Sequence, residues 1–66
     1  MELLTARDVS KILRVSLPAV YKMAERKQLK CVRWSFPGEG EVKPRTMVRF
    51  KEVDILEFVE NHYATS

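Results

Sequence analysis

Lys22 and Arg26 stand four residues apart, one turn of a helix, with Tyr21 and Pro18 beside them. Lysine and arginine donate hydrogen bonds to guanine acceptors or to phosphate oxygens, and a tyrosine hydroxyl donates to a phosphate. A helix with such a free face fits a major groove, although a merely solvated helix face often has the same composition. A second basic group, Arg33, Lys43, Arg45 and Arg49, lies in a stretch of alternating residues. A basic two-stranded ribbon lies along a phosphate backbone or enters a minor groove, and charges on short edge strands also block aggregation.

Catalytic chemistry is hard to assemble from this chain. His62 is its sole histidine and stands near the C-terminal end. Ser16 is accounted for as a helix cap, and Cys31 has no histidine near it in sequence. Gly38 and Gly40 are the only glycines, so there is no glycine-rich phosphate loop. A nucleophile, a base and an orienting group do not come together. No enzyme is expected, no cofactor, and no metal site, since one cysteine and one histidine do not build a structural zinc centre.

Composition narrows the class further. Sixty-six residues make one domain, taken as 1–66, with a small core. A hydrophobic fraction of 45% favours a folded chain over disorder. A single cysteine excludes an internal disulfide and fits a reducing cytoplasm. No apolar run approaches the ~20 residues of a membrane span, and the N-terminus does not read as a signal peptide. The net charge of +3 is unevenly spread: residues 1–13 are neutral, 14–34 carry +5, 35–51 carry +2 and 52–66 carry −4. A basic middle beside an acidic end suggests one face for a polyanion.

The elements that must position these groups read helix, short turn, helix, hairpin, helix. Thr5 caps the first helix, Asp8 reaches back to the cap, and Leu4 and Val9 form a hydrophobic staple. Val9, Ile12 and Leu13 make its apolar face. Ser16 caps the second helix, with Val15 and Val20 at the staple positions and Pro18 in the first turn. Val20, Met23, Ala24 and Lys27 project to one side, Lys27 as a misfit at a frayed end. Pro18, Tyr21, Lys22, Glu25 and Arg26 project to the other side. Only Arg14 and Val15 separate the first helix from the second cap, which favours the steep crossing of a helix-turn-helix. Val32, Trp34 and Phe36 alternate with polar residues, as do Thr46, Val48 and Phe50, and Pro37-Gly38-Glu39-Gly40 is turn chemistry. These segments predict a hairpin over about residues 30–50, with its tip between Phe36 and Pro44. Val32, Val48 and Phe50 are expected to cover the helices, with Trp34 half-buried. The last helix is expected from about Glu52 to His62, with Ile55, Phe58, Val59 and His62 inward, and Ala64-Thr65-Ser66 as a frayed tail. The fold class is α+β, mainly α: a winged helix-turn-helix in the order helix-helix-hairpin-helix.

The order of residues resembles a known family. The run from Leu4 to Ser16 is similar to the opening of excisionase-family DNA-binding domains, relatives of the MerR superfamily, with their pattern LLT-x-x-x-V-A-x-x-L-x-V-S. Val20-Tyr21-Lys22-Met23-Ala24 resembles their V-Y-R-L-A stretch. Leu29 to Arg33 resembles the start of their wing, and Arg49-Phe50-Lys51 with Asp54, Ile55 and Phe58 resembles their last helix. The resemblance implies that the second helix, over 17–27, reads a major groove through Leu17, Pro18, Tyr21, Lys22 and Arg26. It places Arg33 and Arg45 at wing positions. It also implies a role in excising phage or mobile DNA beside a recombinase, or in prophage transcription. This chain departs from the pattern at Lys27, where the family has glycine, and at Lys30, where it often has proline. Glu39 and Glu41 in the long wing tip would be repelled by phosphates, so wing contact is expected through Arg33, Lys43 and Arg45.

Two functions follow as expectations. One is a sequence-specific binder of double-stranded DNA, of excisionase type. It would be helped by an integrase or by cooperative copies of itself, without a membrane. The other is an interaction module that grips a recombinase or transcription component without touching DNA.

Overall fold

The computed structural model describes residues 2–63, so the tail expected at Ala64-Thr65-Ser66 lies outside the described residues. The elements are β1 (Leu3–Leu4), α1 (Ala6–Leu13), α2 (Leu17–Glu25), β2 (Val32–Phe36), β3 (Arg45–Lys51) and α3 (Glu52–Asn61).

Both early helices are set by their caps. The Asp8 amide donates to Thr5 Oγ1 at 3.1 Å, and the Thr5 amide donates to Asp8 Oδ2 at 3.0 Å. That reciprocal pair closes the capping box read from the sequence. The Thr5 backbone bond, then its hydroxyl, then the charge of Lys11 hold the Asp8 carboxyl below its ordinary value of 3.8, against slight desolvation. Arg14 ends α1 in the left-handed region, φ 57°, and its amide donates to the Ser10 carbonyl. Ser16 Oγ accepts from the Ala19 amide at 3.3 Å and starts α2.

The second helix is not frayed at Lys27, and it is shorter than expected, ending at Glu25. Lys27 has φ 62°. Its amide donates to Ala24 at 3.1 Å and the Gln28 amide donates to Met23 at 2.9 Å. This is a closed Schellman turn, with lysine in the place that usually favours glycine. The turn drops Leu29 into the core, 3% exposed.

The core is one cluster of Ala6, Val9, Val20, Ala24, Leu29, Phe50 and Ile55. Phe50, Ile55, Val9 and Val20 are its fully buried large side chains. Leu4, Leu13, Leu17, Met23, Cys31, Val48 and Phe58 pack around it. On the helices, Ile12, Val59 and His62 were expected inward and lie outside it. Ile12 sits about 90° round α1 from the Ala6–Val9–Leu13 face and is exposed. Val59 is exposed on α3 for the same reason, because Ile55 and Phe58 define the inward side. His62 instead folds back on its own helix, with its ring 4.2 Å from that of Phe58 and Nδ1 2.8 Å from the Phe58 carbonyl oxygen.

The hairpin was expected to have two strands, but it belongs to a three-stranded antiparallel sheet ordered β1-β3-β2. Leu3 pairs with Lys51 and Leu4 with Phe50. A two-residue strand carries no alternation to read, so the sequence shows Leu4 only as a staple. The longer pairing sets Val32 against Arg49, Arg33 against Val48, Trp34 against Met47, Ser35 against Thr46 and Phe36 against Arg45. Directly paired residues share a face. Val48 and Phe50 therefore turn inward, with Arg33 opposite Val48 and Leu4 opposite Phe50. Val32 turns outward with Trp34 and is exposed, which corrects its place in the expected core. Burial of Phe50 decides the register, and a ribbon whose outer strand ends in solvent has no reason to match apolar with apolar. Gly38 is required at the tip, where an added Cβ would lie 2.7 Å from Pro44 Cδ.

Candidate nucleic-acid interface

The outward side of α2 is made by residues that the Val20–Ala24 face leaves in water. Pro18, Tyr21, Lys22, Glu25 and Arg26 are all exposed, and Leu17 is half-buried against the core. Pro18 sits in the first turn, where its missing amide costs nothing. Tyr21 lies on the flank of this face nearest the sheet, and Arg26 lies on the opposite flank.

A groove of about 390 Å³ runs between the starts of the two helices and β3. Arg7, Leu17, Tyr21, Arg45, Thr46 and Arg49 are among its walls. It exists because β1 covers only the Phe50–Lys51 end of β3 and leaves the rest of that edge free. The Glu52 amide bonds to the Glu2 carbonyl at 3.2 Å, so peptide groups of even-numbered residues point to this side. The Val48 carbonyl there accepts from the Arg49 guanidinium at 2.8 Å. Arginine side chains, a phenol and free peptide groups thus line one open channel. That set of donors suits an anionic backbone.

The eight residues picked out from the sequence fall into four places. Leu17, Tyr21 and Arg45 meet across the groove. Pro18, Lys22 and Arg26 stand on the free face of α2 beside it. Arg33 lies elsewhere, in a depression it shares with Lys27 and Lys30 behind the end of α2. Lys43 is at the wing tip, with Phe36, Val42, Glu39 and Arg45. Arg7 is an addition. It follows the Thr5 cap by two positions, and that spacing, on a helix that meets the next at a tight turn, is the signal that could have found it. Arg49, named in the sequence with the basic group of the wing, also joins the groove.

Among the described residues, no group of three His, Cys, Asp or Glu side chains could hold a metal ion. No described helix is long and apolar enough to cross a membrane.

Two helices crossing at a tight turn, a β wing and a supporting helix define a winged helix-turn-helix of DNA-binding type. The chain belongs to the helix-turn-helix domain family, whose model matches residues 3–63 and which includes excisionase-like members. No curated protein and no solved structure matches it.

Proposed function

We propose that residues 1–66 act as one sequence-specific DNA-binding unit of excisionase type, working by occupying DNA and not by catalysis. Leu17, Pro18, Tyr21, Lys22 and Arg26 present α2 to a major groove. Arg33, Lys43 and Arg45 set the wing, about residues 30–50, on backbone or minor groove. The observation that carries this reading is the continuity of surface from the free face of α2, through Tyr21, to Arg45 across the groove. Bending a site costs on the order of 1–6 kcal/mol, more than one small domain supplies easily. Cooperative copies on adjacent sites, or an integrase, would share that cost. The setting is cytoplasmic, and the role is recombination directionality or prophage transcription.

A second reading is favoured by α3. Val53, Leu56, Val59 and Tyr63 are exposed at helical spacing, with Glu52 and Glu60 between them. An acidic, apolar helix face suits a basic protein partner, such as a recombinase or a transcription component.

A gel shift with prophage-end and random duplexes separates the two. The DNA reading expects a shift, and Lys22→Ala weakens the specific complex by about 1–3 kcal/mol if Lys22 reads a base. A wild-type chain that shifts neither duplex would defeat it and leave the protein-partner reading.

A further inference from the structure

The duplex reading leaves two exposed aromatic side chains of the wing unused. Val32, Trp34 and Phe36 of β2 share the outer face of the wing with Arg49, Met47 and Arg45 of β3. Phe50 and Val48, of the other parity, pack inward, and the groove beside α2 reaches only the β3 residues of this face, not Trp34 or Phe36. Trp34 is 38% exposed and Phe36 46% exposed. The Arg49 guanidinium carbon lies 5.9 Å from the Trp34 ring centroid, so a cation flanks the ring. Trp34 and Phe36 are two residues apart on one strand, about 6.6–6.8 Å along it.

Two neighbouring aromatic platforms edged by arginines make a surface for flat, anionic ligands in series. The bases of a duplex have their faces buried in the stack, whereas an unpaired strand offers a face at every base. Base-on-aromatic stacking tolerates any sequence, and arginines pair with the phosphates between the bases. We propose that the outer face of the wing binds single-stranded DNA, with successive bases on Trp34 and Phe36 and phosphates against Arg45 and Arg49. Glu39 stands beside Phe36 at the wing tip and repels phosphate there. The strand therefore runs from Phe36 towards Trp34 and Arg49, away from the tip. The site shares Arg45 and Arg49 with the groove, but its platforms, Trp34 and Phe36, take no part in the duplex reading, and Lys22 takes no part in this one, so the two readings fail separately.

Trp34 is the sole tryptophan, so its emission reports this face alone. The full chain is titrated with an eight-residue oligothymidylate at low salt. Saturable quenching of Trp34 is expected. Phe36→Leu should lower the affinity about tenfold while Phe36→Tyr retains it. Both variants should keep the wild-type circular dichroism, because Phe36 is exposed, and Lys22→Ala should leave the quenching unchanged, because α2 takes no part in it. Three results would overturn the proposal: no quenching, binding that leaves Trp34 emission unchanged, or equal affinity for the Phe36→Leu variant. Protein-concentration-dependent emission with a doubled mass and no oligonucleotide would also overturn it, by assigning the face to a second copy.

Discussion

Lys27 occupies a backbone conformation that its side chain does not favour. At φ 62° its Cβ crowds the following carbonyl, a cost of roughly 1–2 kcal/mol for an L-residue. The cost is accepted because the turn it makes satisfies the last carbonyls of α2 and delivers Leu29 to the core. Glycine would relieve the crowding but would loosen the unfolded chain, offsetting part of the gain. Lys27→Gly is therefore expected to stabilise the domain by about 0.5–1 kcal/mol. Thermal unfolding would show this as a rise in Tm of several degrees, and an unchanged or lower Tm would mean that the lysine side chain contributes something the backbone argument omits. The caps at Thr5 and Ser16 were legible from residue type and spacing, because a cap is a local bond between near neighbours. The left-handed turn at Lys27 was not legible from the residue itself. A helix projection carries Lys27 on along the apolar side of α2, and only the glycine that the resembling family has there points to the turn.

The elements are short, and α1 shows what that demands. Eight residues are too few to hold a helix in water without help from both ends and one face. Its N-terminal help is the Thr5–Asp8 pair, and Thr5→Ala should cost about 1 kcal/mol. The same pair predicts an acid dependence. Asp8 titrates below its ordinary 3.8 because the folded state bonds to its charged form. A depressed carboxyl contributes stability above its unfolded value, and that contribution is lost as pH falls through the folded one. Asp8→Asn should then flatten the decline of Tm between about pH 5 and pH 2; an unaltered decline would place the acid sensitivity in other carboxyls. The wing teaches the opposite lesson about legibility. Its strands and tip were readable from alternation and turn residues, yet its register was not. Matching apolar to apolar would have put Val32 beside Phe50, whereas the observed pairing gives Val32 to Arg49. Nothing local to β2 fixes that choice, since all five of its residues are exposed and only the packing of Phe50 on the helices decides it. The free edge of β3, and with it the groove, followed from the same long-range arrangement, and so Arg7 was missed.

At the scale of the molecule, the wing makes the shape. The principal extents are 56 × 25 × 19 Å, and the radius of gyration is 14.0 Å, against about 11 Å for a compact chain of this length. The long dimension exceeds one turn of B-form DNA, roughly 34–36 Å. A body of that length can keep α2 in one groove while the arm reaches the backbone beyond it. The charge follows the same division, because the +5 of residues 14–34 and the +2 of residues 35–51 stand apart from the −4 of residues 52–66. If Arg7, Arg26, Arg33, Lys43 and Arg45 each neutralise a phosphate, log K should fall against log salt with a slope of about −4.5 on duplex DNA. Between 50 and 200 mM salt that is a loss of affinity of several hundredfold. Replacing one of these cations by alanine should reduce the slope by about 0.9, whereas Glu57→Gln on α3 should weaken no contact and leave it in place. A flat salt response would mean that the basic arm and helix do not meet the backbone together. A slope that survives loss of Arg33 but not of Arg45 would place the DNA on the groove side of the wing alone, since Arg33 lies behind the end of α2 and Arg45 faces Tyr21 across the groove.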